Sequence, residues 1–420
     1  MSSEVDKQLN LTPDLRKKWR TVLLLALVEL LVMGLWFSAS AVTPSLTGLW
    51  HLSSGQVAWL TMAVTVGFVT GAFLSALANV SDVFSPRLVL TVSSFLAALA
   101  TALIPISGGY SPAVALRFVT GFAIAGVYPV GMKIMATWMK EDRGLGIGLL
   151  IGALVVGNAS PHLIRALGGI DNWQFVLYMA AVLAGIGGAV GLWVGELGPY
   201  QAAPAKFNWR YIGEVFRDRG LRLANFGYLG HMWELYSMWT WISLFLLASY
   251  EAAGWTGFLG LSAATAASLM TFFVISASAP SSLVAGWLGD RLGRARITMA
   301  ILALSGTCAV IIGLFFGVNP WLVTLVALVW GFAVAPDSGQ YSTAVSELSD
   351  PEYMGTALTL QTSMGFLLTL ITVRLVPTLV DDFGWQCSFA ILALGPLFGI
   401  WAMHRLRLSP ESVKLAGGRG

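Results

Sequence analysis

Charge is what this chain has least of. Only 11% of its 420 residues are charged, against 56% hydrophobic, and mean hydropathy is +0.76. A soluble globular protein is about 25% charged. So few charges cannot cover a surface facing water, so lipid must be the main solvent. Cysteine is nearly absent. Cys308 and Cys387 both lie in apolar runs, which excludes a disulfide framework and any cysteine-based metal site. The net charge is only +3 and the basic residues are confined to short loops, so no nucleic-acid partner is expected. There is no Gly-x-x-x-x-Gly-Lys-Ser/Thr loop and no soluble domain to hold one, which excludes ATP-driven work. Neither a His-Glu-x-x-His pair nor a serine–histidine constellation occurs, so an intramembrane enzyme is not expected. No cofactor is called for.

What is abundant is long apolar runs. A bilayer core of roughly 30 Å takes about 20 apolar residues per helix. Twelve such runs occur, near 21–46, 57–77, 86–107, 112–137, 145–167, 173–195, 222–249, 263–288, 296–317, 321–345, 356–379 and 385–404. They predict an all-α polytopic membrane protein divided into a half at 1–197, a central loop at 198–220 and a half at 221–420. Ala39-Ser40-Ala41 resembles a signal cleavage site, but the run before it is too long and contains Glu29, so it reads as an uncleaved helix. Lys and Arg collect on the cytoplasmic side of membranes. With the N-terminus inside, 20 of the 24 basic residues fall in tails and loops of that side, and the other four (Arg117, Lys133, Arg165, Arg374) fall inside spans. The expectation is a multi-pass protein of the plasma membrane, in a bacterium the inner membrane, with both termini cytoplasmic.

The two halves repeat. Glu29-Leu-x-x-Met33-x-x-Trp36 in the first span returns as Glu234-Leu-x-x-Met238-x-x-Trp241 in the seventh, 205 residues on. Gly121-Phe-Ala-Ile-Ala125 returns as Gly331-Phe-Ala-Val-Ala335, an offset of 210, and Asp82 is matched by Asp290 at 208. Two six-helix halves enter the membrane from one side, so the repeat is parallel, with its transport site at the interface between halves.

These features resemble the major facilitator superfamily. Its Gly-x-x-x-Asp-Arg-x-Gly-Arg-x-Arg loop motif matches residues 286–296 and is degraded at 71–87, where Asp82 and Arg87 survive. Its Arg-x-x-x-Gly pattern of span 4 is present as Arg117 and Gly121. The span 5 pattern of many exchangers, ending Gly-Pro, departs here to Ser160-Pro161-His162, which argues against drug efflux. The resemblance implies that spans 1, 4, 7 and 10 line a central cavity and that Asp82, Arg87, Asp290, Arg291 and Arg294 form a gating latch.

Glu29 and Glu234 lie about 13 and 18 Å beyond the basic residues that open their spans, too deep to snorkel. A charge at helix centre costs about 2.5–3.5 kcal/mol on insertion scales, so such a carboxyl marks function. Each heads a one-face stripe of Glu, Met and Trp, and both are expected to face the central cavity. His231, one turn from Glu234, offers an imidazole partner. Asp337 stands in a Pro- and Gly-broken segment, where freed backbone groups need protein or water. Glu29, Glu234, His231 and Asp337 are therefore the candidates for proton coupling, with Glu234 favoured. Trp36, Arg117, Tyr128, Lys133, Asn158, Trp241, Gln340, Tyr341 and Gln361 are the candidate solute contacts. The expected function is proton-coupled symport of a small polar or amphiphilic organic solute by a monomer in the bilayer, with proton-antiporting efflux the alternative. Nitrate-type uptake is not expected, because spans 2 and 8 carry no arginine.

Overall fold

The computed structural model describes residues 15–78, 80–139, 143–200, 209–255, 260–350 and 354–418. Eleven helices are long and apolar enough to cross a bilayer: α1 (Leu15–Ala41), α2 (Ser54–Leu77), α3 (Pro86–Ile106), α4 (Tyr110–Trp138), α5 (Leu145–Gly169), α6 (Trp173–Gly191), then α8 (Ala263–Leu292), α9 (Arg294–Phe315), α10 (Pro320–Leu348), α11 (Met354–Phe383) and α12 (Trp385–Arg407). Between them runs α7 (Arg219–Ala252), the seventh of the twelve expected spans and at 34 residues the longest of the described helices. Its composition is less apolar because it carries Asn225, His231, Glu234, Ser237, Thr240, Ser243 and Ser249, all buried. A helix enclosed by protein needs no lipid-compatible face. The segment expected as a central loop holds a further helix, Trp209–Arg217, which inserts Tyr211 and Val215.

Local chemistry starts several of these helices. Ser53 and Gln56 form a reciprocal capping box at α2, Asp218 accepts from the Leu221 amide (2.7 Å) at α7, and Asn319 caps α10 ahead of Pro320. The outer faces carry lipid-compatible stripes such as Leu88, Val92, Phe95 and Leu99 on α3.

The repeat holds to the residue in α4 and α10. Segments Tyr110–Ile124 and Tyr128–Trp138 in the first half correspond at an offset of 210 to Pro320–Val334 and Ser338–Leu348 in the second. Both helices therefore break at the same place, residues 125–127 and 335–337. The packing repeats as well. A Cβ on Gly121 would lie 1.9 Å from the Val64 carbonyl oxygen of α2, and one on Gly331 would lie 1.9 Å from the Val274 carbonyl oxygen of α8. Only glycine permits backbones that close, as in other small-residue contacts between membrane helices.

The halves meet along α2 against α11 and α5 against α8. At the end away from the chain termini, Ser54 Oγ donates to Asp381 Oδ1 (3.0 Å) across this interface. Rings from both halves interlock below it: Trp36 with Tyr236 (5.5 Å between centroids) and Phe366 (5.3 Å), Phe68 with Phe366 (4.9 Å), and Phe37 with Trp239 (5.9 Å). This end of the bundle is sealed.

Candidate functional site

Beneath the aromatic seal a cavity of about 100 Å³ lies between the halves. It is walled by Met33 and Trp36 (α1), Phe68 (α2), Tyr128 (α4), Val155 and Asn158 (α5), Tyr228, Met232, Tyr236 and Trp239 (α7), Ser338 and Ser342 (α10), and Thr362 and Phe366 (α11). Of the expected solute contacts, Trp36, Tyr128 and Asn158 line it. The aromatic residues of α7 were not expected. Tyr228, Met232, Leu235 and Trp239 recur at i, i+4, i+7 and i+11, one face of the helix. In a helix this largely buried, hydrophobic periodicity gives little contrast by which to choose that face. The Glu234 stripe was preferred because it repeats Glu29.

That preference is corrected here. Glu234 lies two residues, about 200° of helix, from Met232. Its carboxylate turns into the second half, where Oε1 accepts from Ser305 Oγ of α9 (2.8 Å) and Trp330 Nε1 of α10 (2.7 Å). Glu29 does share the stripe of Met33 and Trp36, yet it lies outside the cavity wall. Its carboxylate ends against α4, where a Cβ on Gly131 would be 2.7 Å from Oε1, and neither oxygen has a hydrogen-bond partner. Both carboxyls are fully buried, each in its own half.

The other two candidates come together. His231 Nδ1 stands 2.8 Å from Asp337 Oδ1, and both side chains are 1% exposed. Asp337 occupies the break in α10, between the cavity-lining Ala335 and Ser338. The His231 ring lies 6.0 Å from the ring of Tyr228, a cavity-wall residue, and 5.8 Å from Tyr341. Glu234 is in electrostatic range of Asp337. Three titratable side chains thus form one buried cluster directly behind the cavity wall.

Several expected solute contacts serve other purposes. Arg117 is fully buried and spent on backbone. Its Nε donates to the Leu60 carbonyl (3.0 Å), Nη1 to the Leu35 carbonyl (2.7 Å) and Ser38 Oγ (3.2 Å), and Nη2 to the Trp36 carbonyl. Hydrogen bonds to charged groups are worth about 1.5–3 kcal/mol each, so this set offsets the cost of the buried charge. It ties α4 to α1 and α2. Trp241 Nε1 donates to the Val373 carbonyl (3.1 Å). Gln340 is held between the Ala285 carbonyl (3.1 Å) and Arg294 Nη1 (3.0 Å). Tyr341 packs inside the second half against Gly227. Lys133 and Gln361 are not among the residues that line the cavity.

The latch residues sit at the end bearing the termini. Gly293, with φ of +100°, makes the tight α8–α9 turn that the loop motif requires. The turn aims Arg294 at Glu347, with paired contacts of 2.9 and 2.8 Å, and at Asp290 (2.9 Å). Arg291 stacks on Trp287 (4.0 Å), and Arg87 pairs with Glu196 (3.8 Å). The bonds made by Arg294 and Arg87 stay within their own halves. Asp82 lies in the short helix Val80–Val83, and its side chain is outside the described residues. Asp290→Asn is expected to lower turnover several-fold while leaving KM within about twofold, because it loosens Arg294 far from the cavity. Initial-rate transport assays over a range of solute concentrations check this, and an unchanged rate with a collapsed affinity would refute it.

A parallel six-plus-six bundle with a cavity between its halves is the architecture of a secondary transporter. The Major Facilitator Superfamily model matches residues 25–259 and 252–420, and the chain belongs to that family. It is 22% identical over 432 residues to the "Hexuronate transporter" of Escherichia coli (strain K12), covering 95% of this chain and 96% of that one. It is 28% identical over 276 residues to the "Probable nitrate/nitrite antiporter NarK1" of Thermus thermophilus, a match spanning 60% of this chain and 58% of that one. The solved D-xylose-proton symporter superposes with a TM-score of 0.72 at 16% identity, over 94% of this chain and 99% of that one. The nucleoside transporter NupG gives 0.68 at 14%, over 94% and 99%. The protein is a multi-pass membrane transporter of small-molecule solutes, not an enzyme.

Proposed function

We propose that this chain imports a small polar organic solute together with protons, by alternating access in the plasma membrane, with both termini cytoplasmic. The observation that carries the reading is the His231–Asp337 pair, 2.8 Å apart and immediately behind the cavity wall. A group that binds a proton there changes the charge beside the bound solute without competing for its place. The break in α10 puts Asp337 on the joint between two helix segments, so protonation and rocking of the halves act on one element. In this arrangement the sealed end is external and the halves part toward the cytoplasm. Gating rests on Arg87, Asp290 and Arg294 at the cytoplasmic end.

Proteoliposomes loaded at one pH and diluted into another test the proposal. Inward accumulation of labelled solute when the outside is acidic is the expected result. Accumulation only under the reverse gradient would establish efflux, and uptake indifferent to the gradient would establish facilitated diffusion.

A further inference from the structure

Among the described residues, three polar atoms on cavity-wall side chains have no partner: Trp36 Nε1, Trp239 Nε1 and Asn158 Oδ1, on side chains 2%, 1% and 1% exposed. Buried polar groups in proteins are nearly always paired, so three on one cavity mark the places where a ligand completes the bonding. An indole N–H can only donate. The solute must therefore present acceptors to Trp36 and Trp239. An ammonium group, which only donates, cannot satisfy them.

The cavity wall also contains no Lys, Arg or His among the described residues. The four cations inside spans are engaged elsewhere or set apart. Arg117 is held by carbonyls of α1 and α2, and Arg374 Nη1 donates to Thr378 Oγ1 (2.8 Å). Arg165 is buried near the end of α5, outside the wall, and Lys133 has its own partner. His231, with Nδ1 2.8 Å from Asp337 Oδ1, lies outside the wall. An anion would lose its hydration and meet no counter-charge. Acceptors without net negative charge are hydroxyls, ring oxygens and carbonyls. The rest of the wall is mostly aromatic, with Phe68, Tyr236, Phe366, Tyr128 and Tyr228, and it adds the hydroxyl side chains Ser338, Ser342 and Thr362.

We infer that the solute is an uncharged, ring-shaped molecule bearing hydroxyl or carbonyl acceptors, clasped between these rings and hydrogen-bonded by Trp36, Trp239 and Asn158. This rests on the transporter reading of the cavity but not on proton coupling. It separates the chain from relatives named for nitrate and hexuronate, both of which are anions. About 100 Å³ is below the roughly 300 Å³ at which small-molecule sites begin, so the ring enters as the halves part.

Counterflow into proteoliposomes without any pH gradient tests the inference, because exchange needs no coupling. The probes are D-glucose, D-glucuronate and D-glucosamine, which share a ring and differ in charge, with D-xylose, uridine and nitrate alongside. At least one neutral ring solute is expected to exchange at least tenfold faster than its charged counterpart or nitrate. Trp239→Phe, which removes the N–H together with part of the ring, should raise KM for that solute about five- to tenfold. Trp241→Phe, whose indole bonds a carbonyl outside the cavity, should leave KM unchanged. Preference for glucuronate, nitrate or glucosamine would overturn the inference, as would failure of every neutral probe to exchange, or equal effects of the two tryptophan substitutions. Loss of pH-driven accumulation with counterflow intact would count against proton coupling alone.

Discussion

Asp337→Asn protein is expected to exchange solute across the membrane at close to the native rate and to concentrate none. An imposed gradient of one pH unit stores about 1.4 kcal/mol per proton, enough for about tenfold accumulation with one proton per solute. The native protein should approach that ratio, and Asp337→Asn should stay near one. Asparagine reproduces the shape of the protonated acid but cannot release a proton, so the loaded carrier reorients freely and the gradient does no work on it. Glu234→Gln should be milder. Glutamine keeps an oxygen for Ser305 and Trp330, which hold Glu234 Oε1 at 2.8 and 2.7 Å away from the cavity. Tracer accumulation and counterflow, measured on the same vesicles, check both variants. Full pH-driven accumulation by Asp337→Asn would exclude it as the coupling residue.

The second large effect concerns the fold. Gly331→Ala is expected to cost about 3 kcal/mol or more, because its new methyl would meet the Val274 carbonyl oxygen at 1.9 Å. Backbone cannot step aside by changing rotamer, so α8 and α10 must separate. The separation would disturb Asp337, six residues further along α10. Gly121→Ala should do the same to α2 and α4 through Val64. Gly185→Ala on α6, where a Cβ would meet nothing within 4 Å, is the control. Thermal unfolding in detergent should drop by several degrees for the first two and not for the third. A Gly331→Ala protein as stable as the control would show that the close helix crossing is dispensable.

The architecture was readable in the sequence because the bilayer forces it. Apolar runs gave the spans, and the Gly121 and Gly331 pentapeptides gave a repeat that α4 and α10 honour to the residue. Side-chain direction inside α7 was not readable. In a helix this largely buried, apolar and polar residues mix on most faces, and the Glu29–Glu234 match suggested a cavity face that belongs to Tyr228, Met232 and Trp239 instead. The match of Trp36 with Trp241 failed for a related reason: the two helices differ in rotation, so Trp36 lines the cavity while Trp241 bonds α11. Asp337 was found from chemistry alone, as an acid at a broken helix. Its pairing with His231, 106 positions away, depended on tertiary packing that no local pattern encodes.

The most direct test of the coupling cluster follows the proton itself. Proteoliposomes in weak buffer, with no imposed gradient and a pH-sensitive dye outside, receive a pulse of transported solute. The native protein should alkalinise the outer medium as solute enters, and Asp337→Asn should give no pH change while still exchanging labelled solute. Solute entry through the native protein without proton movement, or equal proton movement through Asp337→Asn, would contradict proton coupling at the His231–Asp337 pair.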